Sequence, residues 1–401
     1  MAFRTTAGTG ARRARTPGGP GRLWLLAALV MLLAACGGSG PDGTPTPESA
    51  SGGVTETPTP SGPVRFRVET VATGLDTPWE LAFAPDGRIF VTERPGRVRV
   101  VRDGRLLPEP AVTIDEVAEE GEGGLLGLAL APDFPRSRAV YVYYTEAAGG
   151  GLRNRVVRYT EANDRLTDPV VILDGIPGAR IHDGGRIAFG PDGKLYVTAG
   201  DAAQQDLAQD VGSLAGKILR LNPDGSIPAD NPFPGSPVYS YGHRNPQGLA
   251  WQPGTGQLYA TEHGPSAHDE VNRIQPGANY GWPAMQGNAG QTDGFTRPVI
   301  ESGAGTTWAP SGAAFVAGDR FPQLRGDLVF AGLRSTSLWR LRLPADGGEP
   351  QLEALIEGEY GRLRNVVQGP DGSLYVLTNN RDGRGNPGPE DDRILRLAPE
   401  G

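Results

Sequence analysis

The four histidines of this chain, His182, His243, His263 and His268, all fall in one central span. His182 stands in Ile181-His-Asp-Gly-Gly-Arg186, just before an apolar run, and Asp201 closes the following run in Ala199-Gly-Asp201. A histidine held by a carboxylate can serve as a general base, because imidazole titrates near neutrality and the partner fixes its tautomer. A loop histidine bonded to backbone is the competing reading. A second group lies in Ser240-Tyr-Gly-His-Arg-Asn-Pro-Gln-Gly-Leu249, which sets His243, Arg244 and Asn245 between two glycines, where a loop is expected. The planar donor fork of Arg244, with the Asn245 amide beside it, suits a carbonyl or an anion. A third group runs Glu262-His-Gly-Pro-Ser-Ala-His-Asp-Glu270, followed by Asn279-Tyr-Gly-Trp282. Its adjacent acids, Asp269 and Glu270, and the carbonyls of its Gly/Pro turn are hard oxygen donors of the kind Ca2+ takes; two loop acids also occur as plain solvated charge. Arg334, Arg362 and Arg364 lie on a solvated strand face or, if they converge, clamp a polycarboxylate.

Other chemistries find less support. No histidine pair has the His-x-x-x-His spacing of a helical zinc site. The run Gly121-Glu-Gly-Gly124 lacks Gly-x-Gly-x-x-Gly, and no Gly-x-Ser-x-Gly elbow is present.

The elements that must position these groups repeat along the chain. Pro-Asp-Gly followed by a β-rich run occurs as Pro85-Asp-Gly-Arg-Ile-Phe-Val-Thr92, Pro191-Asp-Gly-Lys-Leu-Tyr-Val-Thr198 and Pro370-Asp-Gly-Ser-Leu-Tyr-Val-Leu377. Looser copies start at Pro132, Pro253 and Pro322. A second run follows each copy, as in Val98-Arg-Val-Val101, Lys217-Ile-Leu-Arg-Leu221 and Arg393-Ile-Leu-Arg-Leu397. Several of these alternate apolar and basic residues, the period of a strand with one buried face. Six units of this kind predict an all-β, six-bladed β-propeller, against a β-sandwich pair or an irregular all-β fold. The run Val64-Arg-Phe-Arg-Val-Glu-Thr70 belongs to no unit, and the last unit lacks an outer strand. The first strand is therefore expected to close the last blade and hide two edges. No helix beyond a turn or two is expected; Asp206 to Leu219 is the best candidate.

Sixty Gly and 37 Pro in 401 residues fit many short elements joined by turns. The net charge of −8, with no basic stripe beyond the N-terminus, argues against a nucleic-acid partner. Residues 1–36 read as a targeting segment: Arg4, Arg12, Arg13, Arg15 and Arg22, then an apolar run from Leu23 to Ala35, too short to span a bilayer comfortably. It ends in Leu33-Ala-Ala-Cys36, which resembles a bacterial lipobox whose cysteine is lipidated. An ordinary signal peptide with an incidental cysteine is the alternative, and the export route is left open. Cys36 is the only cysteine, which excludes disulfides and Cys-ligated metal. Residues 37–63, rich in Gly, Ser, Thr and Pro, are expected to be a flexible tether, leaving 64–401 as the folded domain. The protein is thus expected outside the cytoplasm, held to a bacterial membrane by its N-terminal lipid alone.

An ordered set of motifs carries a resemblance. These are Gly123-Gly-Leu-Leu-Gly127, His182-x-x-Gly-Arg186, Gly200-Asp201, Tyr241-Gly-His-Arg-Asn-Pro-Gln-Gly248, His263-Gly-Pro265, Asp269-Glu270 and Asn279-Tyr-Gly-Trp-Pro283. Over about residues 64–400 the chain resembles the soluble-type quinoprotein sugar dehydrogenases (glucose/sorbosone and aldose sugar dehydrogenases), six-bladed propellers that use pyrroloquinoline quinone (PQQ) and Ca2+. The resemblance implies oxidation of an aldose at its C1 hydroxyl to the lactone, by hydride transfer to PQQ. It makes His182 the general base, Asp201 its partner, and Arg244 the group beside the reactive quinone carbonyl. Asn245 would bind the cofactor, and the carbonyls of Gly264 and Pro265 would hold its Ca2+. Asp269, Glu270 and Tyr280 would form a second, structural Ca2+ site. Arg334, Arg362 and Arg364 would grip the cofactor carboxylates. Glu122 replaces a cofactor-touching glutamine of glucose-oxidising members, a charge that weakens cofactor binding unless it is paired or turned away. Arg334 replaces a lysine. The long insertions of glucose-specific members are missing, which points to the broader aldose group and a more open site. Cys-x-x-Cys-His is absent, so electrons must pass to a separate acceptor. Two alternatives remain: a binding propeller without redox activity, and a Ca2+-dependent lactone hydrolase.

Overall fold

The computed structural model describes residues 62–344 and 347–400. The expected targeting segment, Cys36 and most of the expected tether lie outside the described residues. Within them, helix is confined to Phe134–Ser137 and a 3-10 turn at Gln205–Ala208. The helix expected from Asp206 to Leu219 therefore stops after its first turn. Gly212, Ser213 and Gly216 break it, and Lys217–Leu221 is strand. No described helix is long and apolar enough to cross a membrane.

Six of the antiparallel sheets are the blades of a β-propeller, and a seventh, two-stranded sheet pairs Met285–Gln286 with Ala289–Gly290. From the first strand inward to outward, blade 1 is Pro78–Phe83, Ile89–Glu93, Arg97–Arg102 and two short pieces, Arg105–Leu106 and Val112–Thr113. Blade 2 is Leu125–Leu130, Ala139–Ala148, Gly151–Ala162 and Arg165–Gly178. Blade 3 is Ile187–Phe189, Leu195–Ala199, Lys217–Leu221 and Val238–Tyr241. Blade 4 is Pro246–Trp251, Leu258–Glu262, Glu270–Ile274 and Ile300–Glu301. Blade 5 is Pro310–Phe315, Leu328–Gly332, Ser337–Arg342 and Gln351–Glu357. Blade 6 is Leu363–Gln368, Leu374–Thr378 and Ile394–Pro399, completed by the N-terminal strand Phe66–Ala72. That strand pairs antiparallel with Ile394–Pro399, Val68 opposite Leu397, as the missing outer strand required.

The Pro-Asp-Gly turns share one set of contacts. In each, the aspartate Oδ1 accepts the N–H two residues on: Asp86 from Arg88, Asp192 from Lys194 and Asp371 from Ser373. The following glycine takes a positive φ, 87°, 70° and 76° at Gly87, Gly193 and Gly372, which a side chain would oppose.

Buried apolar side chains fall into six clusters, each shared by two neighbouring blades. The seam that closes the ring packs Ala72, Leu75, Tyr375, Leu377 and Ile394 against Leu81, Ile89, Val91 and Val101. Threonines at the ends of second strands staple blades together. Thr92 Oγ1 donates to Leu126 O at 2.5 Å, and Thr261 Oγ1 to Ser311 O at 2.6 Å. Around the axis the inner strands come so close that a Cβ on Gly248 would collide with the Ser311 carbonyl.

Candidate active site

Strand direction alternates within each blade. The first-to-second-strand turns, which include every Pro-Asp-Gly, therefore lie on one face. Second-to-third-strand turns and the connections between blades lie on the other. Most of the described candidate residues ride on that other face; Tyr280 sits in the long third-to-fourth-strand connection of blade 4, where Asn279 bridges to Tyr241. His182, Arg244, Arg362 and Glu122 lie in connections between blades; Asp201, Gly264, Arg334 and Asp269 lie in second-to-third-strand turns. The N-terminal strand, which occupies a fourth-strand position, enters from the Pro-Asp-Gly face.

His182 and Asp201 come together as the sequence predicted. His182 Nδ1 lies 2.7 Å from Asp201 Oδ1, and Asp201 is 1% exposed. The same oxygen accepts the Ala203 N–H, and Oδ2 accepts the Trp282 indole N–H at 2.8 Å. Among the described residues His182 Nε2 has no hydrogen-bond partner. The His182 backbone is left-handed, φ 64°, a conformation disfavoured by about 1–2 kcal/mol for a side-chain-bearing residue. Its N–H is held by Glu122 Oε2 at 3.1 Å and its carbonyl by the Ala202 N–H. Gly200 is required here, since a Cβ would collide with the His182 carbonyl oxygen.

The Ser240–Leu249 motif is mostly strand; only residues 242–245 form the loop. His243 is fully buried beneath that loop, with Nε2 on Ser240 Oγ and Nδ1 on Glu262 Oε2, both at 2.8 Å, and its ring stacked on Tyr280. Glu262 also accepts the Arg244 backbone N–H, so this buried chain sets the loop's height. Arg244 presents its side chain: Nη1 donates to Gly264 O at 2.7 Å and His263 O at 3.1 Å, and the guanidinium lies over the Trp282 ring at 5.3 Å. Asn245 Oδ1 accepts the Gly184 N–H.

Between these loops lies a narrow cavity whose wall includes Trp79, Glu122, Asp183, Gln247, His263 and Arg364. Burial, unopposed by any direct carboxylate contact, pushes Arg364 down to about 9. Its partners are the neutral Gln247 and Asn379 side chains. Burial also pushes His263 down to about 4, leaving it neutral at pH 7. Asp183 is raised by burial to about 6 against the N–H of Ala179 and the Asn154 amide. Glu122 is opposite in sign: burial raises it, but the charge His263 carries once protonated at low pH, Arg384 and the His182 N–H outweigh that and hold it at about 2. Four buried nitrogens in this region have no partner: Arg244 Nε, Asn245 Nδ2, His263 Nε2 and Arg364 Nε.

The structure departs from two expectations and meets the condition set on a third. The three arginines do not converge on the cavity. Only Arg364 lines it; Arg362 is neutralised by Asp382 (2.7 Å), and Arg334 is exposed on an outer cleft with Arg362 and Tyr360. Glu122, a charge expected to weaken cofactor binding unless paired or turned away, is paired: its Oε1 accepts from Arg384 Nη1 at 2.8 Å. Asp269, Glu270 and Tyr280 do not form one set of side-chain ligands. Asp269 is spent on the N–H groups of Gly264, Trp308 and Ala309 and the Thr307 hydroxyl. The Tyr280 hydroxyl donates to Arg273 O, and Glu270 is tied to Gly287 and Asn272, raised to about 8 by burial and by Glu262. Among the described residues no three His, Cys, Asp or Glu side chains gather as a metal site. Sequence reasoning missed Trp79, Arg94, Asp382 and Arg384 as site residues, and quoted Gln247 and Trp282 within motifs without a role.

A polar cavity with unpartnered cationic and amide nitrogens thus lies beside a histidine–carboxylate pair at one mouth of a six-bladed propeller, a layout suited to holding an anionic, carbonyl-bearing group next to a base. The chain belongs to the glucose/sorbosone dehydrogenase family, whose model matches residues 75–395. Aldose sugar dehydrogenase YliI of Escherichia coli (strain K12) is 36% identical over 346 residues, 80% of this chain and 92% of that protein. Quinoprotein glucose dehydrogenase B of Acinetobacter calcoaceticus is 37% identical over 255 residues, 55% of this chain and 53% of that protein. The PQQ-bound form of aldose sugar dehydrogenase from Streptomyces coelicolor is 43% identical, with a TM-score of 0.76, over 85% of this chain and 100% of that one.

Proposed function

We propose that this PQQ-dependent sugar dehydrogenase oxidises the C1 hydroxyl of an aldose to the lactone, with His182 as the base. One observation carries the assignment: His182 Nδ1 is engaged by buried Asp201 at 2.7 Å, which leaves Nε2 as the free nitrogen. Nε2 takes the C1 hydroxyl proton, and Asp201 stabilises the imidazolium that forms. PQQ, when bound, supplies the acceptor for the hydride lost from C1. The residues fit such a group. Arg244 Nε, Asn245 Nδ2 and Arg364 Nε are buried donors that lack acceptors, and an anionic, carbonyl-bearing ring system brings them. Arg364 would face its carboxylates, and Arg244 would stabilise negative charge on a quinone oxygen.

Ca2+ belongs to the same proposal. The carbonyls of Gly264 and Pro265 are hard donors, but too few alone for an ion that takes six to eight oxygens. Arg244 already holds Gly264 O, so an ion there competes with that hydrogen bond and must share the cofactor's oxygens. Electrons then leave to a separate acceptor. The basic and apolar N-terminal segment ending at Cys36 supports an extracytoplasmic, lipid-anchored protein.

The test mixes the full chain with PQQ, with and without Ca2+, and follows dye reduction on a panel of aldoses. His182→Ala is expected to lower kcat by about 10³-fold while PQQ still binds. Turnover unaffected by His182→Ala removes the base assignment, and dye reduction without added PQQ removes the cofactor.

A further inference from the structure

The cavity wall gathers Arg94, Arg364 and Arg384 with the carboxylates of Asp183 and Asp382, and Glu122 stands among them beside the base. Each of its oxygens has a distinct partner. Oε2 accepts the backbone N–H of His182, whose left-handed φ of 64° needs holding. Oε1 accepts from Arg384, which is contributed by the last blade, 262 residues along the chain. Glu122 comes from the connection into the second blade, so the pair bridges the loops on either side of the first. Arg384 is itself steadied, its N–H donating to Asp382 Oδ1 at 2.9 Å. It lines both the inner cavity and the outer cleft, standing between them. Its side chain is 56% exposed against 19% for Glu122, so the carboxylate is the buried end of the pair.

We infer that Glu122 is a positioning residue that holds the peptide of the base, and that Arg384 is the counter-charge that lets this carboxylate stand in an anion-binding cavity. The inference rests on the cofactor reading above. An unpaired Glu122 would repel an incoming polyanion; paired, it presents little net charge and keeps both oxygens occupied.

A double-mutant cycle on the full chain tests it, read as PQQ affinity by quenching of tryptophan fluorescence. Arg384→Ala is expected to weaken PQQ binding about tenfold, and adding Glu122→Gln to restore it to within about threefold of the unmodified chain. The positioning role is read separately at saturating PQQ. Gln keeps an acceptor for the His182 N–H and Ala does not, so kcat is expected to fall about tenfold further in Glu122→Ala than in Glu122→Gln, with the sugar KM changing less than about threefold. Arg384 is mostly exposed, so its variants fold. If Arg384→Ala and the double variant lose affinity equally, Arg384 is a direct ligand and the counter-charge inference falls. Equal kcat in the Gln and Ala variants removes the positioning role. If even the unmodified chain fails to bind PQQ, the cofactor reading fails and takes this inference with it, an outcome recognisable before any variant is made.

Discussion

Trp282 joins the two halves of the site, donating its indole N–H to Asp201 and lying against Arg244. Trp282→Phe keeps the ring and removes the donor, which leaves Asp201 Oδ2 short of a partner and the pair less firmly placed. Turnover is expected to fall about tenfold with the sugar KM nearly unchanged, read from steady-state kinetics at saturating PQQ. Unchanged turnover would mean that the ring matters and the N–H does not. Asp183 makes a second prediction. Its folded acid is raised to about 6, above the unfolded value near 4, so between these values the folded state binds more protons and stability falls as pH rises. Asp183→Asn is expected to melt several degrees higher than the unmodified chain at pH 7.5, with the gap about halved at pH 5 and closing toward pH 4. A gap independent of pH would show that the carboxyl is not the cause. At this scale the meeting of His182 with Asp201 was legible as one of two readings of the motif, while the roles given to that pair, Arg244 and Asn245 came from the resemblance the motifs carry. His243 misled: within its motif it looks equal to Arg244, and only burial separates a support from a presented group. Arg384 left no trace in the sequence, since its role depends on ring closure bringing Glu122 beside it.

Second-strand threonines set the relation between neighbouring blades. Thr261 donates to Ser311 O across the boundary between blades 4 and 5, and is fully buried. Thr261→Val preserves shape but leaves that carbonyl unsatisfied, at an expected cost of about 1–3 kcal/mol in denaturant unfolding. A change below about 0.5 kcal/mol would mean that the carbonyl finds another donor. The blades were readable because their hairpins carry turn chemistry: Asp and Gly at fixed offsets from Pro. Outer strands were less so. Ile300–Glu301 is two residues long, too short for any period, and Arg165–Gly178 is broken by shifts in register. The loop expected across Ser240–Leu249 is largely strand because its ends pair with Lys217–Leu221 and Leu258–Glu262, partners that a local reading does not supply.

For the whole molecule, six shared clusters, one of them the closing seam, make the ring cooperative. The seam depends on Phe66–Ala72, whose removal opens an edge on the last blade and uncovers its apolar face. A chain lacking residues 62–72 is expected to aggregate or to melt far below the intact protein, as size-exclusion chromatography and thermal unfolding would show. An unchanged melting temperature would mean that the ring closes without this strand. The same strand has a practical consequence. It enters from the Pro-Asp-Gly side, whereas His182, Arg244 and the cavity open on the other. An electrode or bead that grips the chain ahead of Phe66 thus pulls on the back of the disc. Immobilised that way, the molecules turn their mouths toward the solution, and a mediator in the bulk, rather than the electrode surface, becomes the route by which current is drawn.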